Sequence, residues 1–88
     1  MRRGIMIFDV KDQKWKLWFG QQSYDTFEGM YFEIRIFNHY HRTSLGKEEG
    51  WFVTMEEDVS FDLRIFEVYK IRIISTELLT LFDDVPPF

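Results

Sequence analysis

Residues Gly29 to Phe37 read Gly-Met-Tyr-Phe-Glu-Ile-Arg-Ile-Phe, and no other stretch restricts the fold as much. Met30, Phe32, Ile34 and Ile36 recur at every second position, with Tyr31, Glu33, Arg35 and Phe37 between them. Successive side chains point to opposite faces in an extended chain, so this is the pattern of a half-buried β-strand. A helix would scatter the same residues around its circumference. Ile34 is therefore expected inside. Glu33 is expected outside, where replacement by Gln would be nearly silent.

The flanking sequence follows the same period. Gly4 to Val10 is β-rich and apolar on both faces, and Lys11-Asp12-Gln13 suits a short hairpin loop. Lys14 to Phe19 then alternates, Trp15, Leu17 and Phe19 on one side and Lys14, Lys16 and Trp18 on the other. Gly20 to Gly29 reads as a polar loop. The central strand is expected to extend toward Tyr40, and His41 to Gly50 reads as a second exposed loop. Trp51 to Met55 alternates again, with Trp51, Val53 and Met55 inward. Beyond it, residues 58–65 are open between a helical turn begun by Asp58 and a strand. A last strand is expected over about 66–74. Ser75 has the character of an N-cap for a short helix over 76–82, and Pro86-Pro87 would end any element.

These elements predict one mainly β domain over 1–82 with a tail at 83–88. About five strands and a short C-terminal helix suit a small antiparallel barrel or bent sheet, SH3-like or OB-like. Eighty-eight residues allow one modest core, and aromatics at 19% let it bury much area per residue. Three tetrads, Ile34-Arg35-Ile36-Phe37, Leu63-Arg64-Ile65-Phe66 and Ile71-Arg72-Ile73-Ile74, share no fixed period. They are read as alternating strands with one charged face, not as repeats.

With no cysteine, neither disulfides nor thiolate metal sites are available. The basic start lacks the apolar run and cleavage site of a signal peptide, and no stretch has the roughly 18 apolar residues of a membrane helix. A cytoplasmic protein without membrane contact is expected. Charge is uneven: residues 1–20 balance at +3 and residues 21–88 at −7. Most of that acidic excess comes from residues 47–62, where Glu48, Glu49, Glu56, Glu57, Asp58 and Asp62 around the Trp51–Met55 strand face only Lys47.

The candidates for chemistry are few. His39 and His41 would share a strand face, but no third ligand follows at a metal-binding spacing. The acids at 56–58 lack the alternating ligands and turn glycine of a calcium loop. No nucleophile–base motif or glycine-rich phosphate loop is present, so no enzyme, cofactor or metal is expected. Lys14-Trp15-Lys16-Leu17-Trp18 could stack bases while its lysines meet phosphates. It is similar to the first strand of cold-shock domains, without the aromatic strands that follow there.

Arg3-Gly4-Ile5-Met6-Ile7-Phe8, Trp15-Lys16-Leu17, the central strand and Gly50-Trp51-Phe52-Val53 come in a distinctive order. Over residues 3–74 the chain resembles a domain-of-unknown-function family of very small proteins from Gram-positive bacteria and their mobile elements. In that family a Gly-x-Leu-type strand and a Tyr/Glu strand precede an Arg-Ile-Glu strand and a Trp-Tyr strand. Here Arg35-Ile36-Phe37 stands in place of Arg-Ile-Glu. The family has no established function, so the resemblance implies a phage or plasmid origin and assigns no site residues. The leading expectation is a non-enzymatic protein-binding module, an anti-CRISPR-like inhibitor. Its carboxylates at Glu48, Glu49, Glu56, Glu57, Asp58 and Asp62 would occupy a basic, nucleic-acid-binding surface on a host protein. The alternative is a small nucleic-acid-binding accessory protein using Lys14, Lys16 and Trp18.

Overall fold

The computed structural model describes residues 1–73. They form eight strands: β1 (Arg2–Asp9), β2 (Lys14–Phe19), β3 (Gln22–Asp25), β4 (Tyr31–Ile36), β5 (His39–Lys47), β6 (Trp51–Met55), β7 (Val59–Asp62) and β8 (Tyr69–Ile73). One 3-10 turn, Glu56–Asp58, joins β6 to β7. All eight strands belong to one sheet in the order β3-β2-β1-β8-β4-β5-β6-β7, and each neighbouring pair is antiparallel. Two meanders of consecutive hairpins, β1–β3 and β4–β7, are thus joined through β8.

The period of two survives in every long strand. Met6, Trp15, Leu17, Phe19, Phe32, Ile34, Leu45, Val53, Ile71 and Ile73 are buried on one face, where Met30 and Leu63 join them. Trp15 meets Phe8 and Tyr69 edge-on, at centroid distances of 5.4 and 5.5 Å. Two buried threonines are admitted because each hydroxyl has an acceptor. Thr26 Oγ1 donates to the Trp15 carbonyl at 2.7 Å and Thr43 Oγ1 to the Phe32 carbonyl at 3.2 Å. Two phenylalanines fold over cross-strand glycines: Phe19 covers Gly4 on the inner face and Phe52 covers Gly46 on the outer.

The hairpin expected from 4–10 and 14–19 is present, its first strand running from Arg2 to Asp9, and the strand at Trp51–Met55 with the inward set Trp51, Val53 and Met55 is as expected. Several other expectations are corrected. The first and last strands of the sheet, β3 and β7, are two free edges among the described residues, so the domain is an open sheet and not a closed barrel. Closure would require those two strands to pair. Eight strands replace five: β3 lies within the loop predicted over 20–29, β5 begins at His39 and takes up most of the loop predicted over 41–50, and β7 is the third addition. The central alternation is cut at Phe37-Asn38 by a two-residue turn, since Ile36 pairs with His39. In the segment open over 58–65, Asp58 ends a 3-10 turn rather than beginning a helical one, and residues 59–62 are the strand β7. The tetrad Leu63-Arg64-Ile65-Phe66 is no strand but leads into a turn closed by the Glu67 N–H donating to the Arg64 carbonyl at 3.0 Å. The helix over 76–82 and the tail at 83–88 lie outside the described residues. Among those described, no helix is long and apolar enough to cross a membrane.

A cationic and aromatic sheet face as candidate site

Once the apolar positions are committed inward, the alternate positions form a second face. The register aligns Arg3 of β1 with Arg72 of β8, Arg72 with Glu33 of β4, and Glu33 with Arg42 of β5. Four residues from four strands thus stand in one row, three of them arginines. The next row holds Trp18, Ile5 and Lys70 on β2, β1 and β8, and pairs Arg35 with Tyr40 on β4 and β5. Five cations face outward from β1, β8, β4 and β5, against Glu33 and, at the turn end of β1, Asp9.

Rings are threaded between these charges. The Arg72 guanidinium lies 4.2 Å from the Tyr40 ring centroid, and Arg3 approaches the same ring at 5.8 Å. Arg42 sits over Tyr31 at 5.0 Å. Such contacts contribute about 0.5–1 kcal/mol each when exposed. Their larger effect here is to hold flexible side chains flat along the sheet. Glu33 takes a hydrogen bond from Arg72 Nε at 2.5 Å and is mostly covered. It does face outward, as the alternation predicted, but it is partnered there. Arg3 and Lys70 make no ion pair among the described residues, and Arg35 only hydrogen-bonds the Asn38 side chain at 3.1 Å.

Of the sequence candidates on β2, Trp18 lies half-buried on this face opposite Ile5, and Lys14 is exposed. Lys16 is differently placed: its Nζ meets Asp25 Oδ1 at 2.7 Å and Asp12 Oδ2 at 2.9 Å. The hydrogen bond to Asp25, then that to Asp12, holds its ammonium well above the ordinary lysine range. Asp25 is pushed below the usual carboxylate range, mainly by the same hydrogen bond. Lys16 is thus already neutralised, and a phosphate would have to displace two carboxylates to reach it.

The acidic candidates form two groups. Glu48 and Glu49 in the β5–β6 turn line a cleft of about 810 Å³ together with Asp62, Trp51, Phe8 and Gln13. Glu56, Glu57 and Asp58 make up the turn at the other end of β6. A five-residue strand separates the groups by roughly 14 Å. His39 and His41 do share a face of β5 and are exposed. No group of three or more His, Cys, Asp or Glu able to hold a metal occurs among the described residues.

The parity of Arg35 and Arg72 was readable in their tetrads. What no single-strand pattern contains is the insertion of β8 between β1 and β4, which brings Arg3, Arg72 and Glu33 side by side. Fold and face together define a small antiparallel β domain with a polarised surface, cationic across its central strands and acidic around β6. No protein-family model matches the chain, and neither a curated protein nor a solved structure matches it.

Proposed function

We propose that this domain is a non-enzymatic binding module that takes a nucleic acid on the outer face of β1, β8, β4 and β5. The observation that carries this reading is the cross-strand row Arg3–Arg72–Glu33–Arg42 with Lys70 and Arg35 beside it. A net charge of −4 for the whole chain does not oppose it, because affinity for a phosphate backbone depends on the local face. Relative to the sequence alternative, the cations move from Lys14 and Lys16 to the centre of the sheet, and Trp18 is retained.

Fluorescence anisotropy with labelled single- and double-stranded oligonucleotides tests the reading. Three to four phosphate contacts predict a slope of roughly −2 to −3 for log K against log salt on a single strand. Arg3→Glu combined with Lys70→Glu, both exposed, abolishes binding with an unchanged melting temperature. No binding by the wild-type protein to any oligonucleotide at low salt refutes the proposal.

A second reading retains the protein-binding, anti-CRISPR-like inhibitor whose carboxylates meet a basic surface. It is favoured by Glu48, Glu49 and Asp62 lining one cleft beside β7, which is an edge strand of the sheet among the described residues. Its test is affinity capture followed by charge reversal. Glu56, Glu57 and Asp58 changed together to Lys, or Glu48 and Glu49 to Lys, slow association with the captured partner. A partner bound as fast and as tightly by both variants rules this reading out.

A further inference from the structure

The two-residue hairpin turns β2–β3 and β4–β5 differ in one residue that matters. Phe19 pairs with Gln22 and Ile36 with His39, so the first loop residue is Gly20 in one turn and Phe37 in the other. Both adopt a left-handed backbone, with φ of 64° at Gly20 and 58° at Phe37. Glycine meets no steric penalty there, whereas a bulky aromatic does. Strain of this kind is ordinarily compensated by burying the ring, yet Phe37 is 93% exposed. The turn therefore carries a disfavoured residue with no packing in return, an outlier that points toward a ligand.

The surroundings narrow the kind of ligand. Phe37 and Asn38 line a cleft of about 370 Å³ with Arg35, Lys70, Val68 and Tyr69. Arg35 and Lys70 are the two cations of the outer face nearest this turn, so the ring stands where that face ends. We infer that Phe37 is a stacking platform for an unpaired base, with Arg35 and Lys70 holding the flanking phosphates. The ligand class is then single-stranded nucleic acid, since bases paired in a duplex keep their faces covered. A ring beside two cations, in a cleft with Asn38 and Tyr69, matches a base between phosphates better than a lipid surface, which requires a broader apolar contact. This inference rests on the nucleic-acid reading above and adds which strand state is bound and through which residue.

Phe37→Gly is the informative variant, because glycine relieves the backbone strain while removing the ring. Its melting temperature is expected to equal or exceed the wild-type value. Its affinity for a single-stranded oligonucleotide should fall roughly five- to hundredfold, the range for loss of one stacked base. The same variant should bind an abasic oligonucleotide of equal length as wild type does, since the phosphate contacts remain. Phe37→Trp should retain affinity. Should wild type bind oligonucleotides while Phe37→Gly loses nothing, or loses equally on the abasic strand, the stacking role fails and the cationic face stands. Sedimentation with phosphatidylglycerol vesicles provides the contrary outcome: vesicle binding lost in Phe37→Gly, without base-dependent binding, would overturn the inference in favour of a membrane.

Discussion

Gly4→Ala probes the close approach of β1 to β2. A methyl group at Gly4 would lie 2.7 and 2.9 Å from two ring carbons of Phe19 and closer still to the Trp18 carbonyl oxygen. The ring is buried, and the oxygen belongs to the backbone of the paired strand, so neither can move without opening the sheet. Overpacking of this kind costs about 1–3 kcal/mol, and the restricted unfolded chain returns about 0.4–1 kcal/mol. The net expectation is a loss of about 1–2 kcal/mol. In a domain of this size that lowers the melting temperature by roughly 4–16 °C. Gly46→Ala is the matched control. The three atoms nearest its methyl all belong to the ring of half-buried Phe52, on the outer face, and that ring can swing toward solvent. The strain then disappears and the change stays within about 0.5 kcal/mol. Urea unfolding followed by tryptophan fluorescence and by far-ultraviolet circular dichroism measures both variants. A Gly4→Ala protein as stable as wild type, or a Gly46→Ala protein equally damaged, would refute the reasoning.

Three further substitutions bear on the rest of the structure. Ile34→Asp places a carboxylate at a fully buried position of β4 and should prevent folding, visible as loss of the β-type dichroism spectrum. Asp25→Asn removes one partner of Lys16 and should cost no more than about 1 kcal/mol at neutral pH, as for other surface pairs. The depressed Asp25 carboxyl contributes stability that is complete above the ordinary carboxylate pKa and is lost as pH falls through its own lower value. The variant should therefore lose less stability than wild type on acidification, as followed by thermal melts across acid pH. Glu33→Gln, expected from sequence to be nearly silent, should instead lower stability by about 1 kcal/mol, because Arg72 loses its carboxylate. It should also tighten oligonucleotide binding and steepen the salt dependence, since the central row gains net positive charge.

The elements legible in the sequence were those whose inner face is wholly apolar. Trp15-Leu17-Phe19, Phe32-Ile34 and Trp51-Val53-Met55 each announce a buried side at a period of two. β5 escaped because only Thr43 and Leu45 of its side chains are buried, while the exposed His41 and the polar residues around it look like loop and His39 falls within the expected central strand. Thr43 belongs inside only because the Phe32 carbonyl accepts its hydroxyl, a partner 11 residues away. β3 escaped because it is a four-residue edge strand with Tyr24 as its single large inward side chain. For the candidate site, the outward parity of Arg35 and Arg72 was legible and their adjacency to Arg3 was not. Lys14 and Lys16 were weighed as free charges because nothing local places Asp25, nine residues beyond Lys16, on the neighbouring strand.

The position of β8 also bears on how the chain reaches this fold. β1–β3 and β4–β7 can each form from hairpins between consecutive strands, with short loops to close. Neither contributes a direct strand pair to the other: Arg2 is joined to Ile73, and Ile34 to Ile71, only when the last described strand enters between them. During synthesis the two meanders would emerge early and wait side by side, each with one edge of unpaired amides facing a gap. Tyr69–Ile73 then fills both edges in a single zipping event. That late, long-range step is the one expected to set the folding rate, and until it occurs the nascent protein exposes two open templates for pairing with its neighbours on the same messenger.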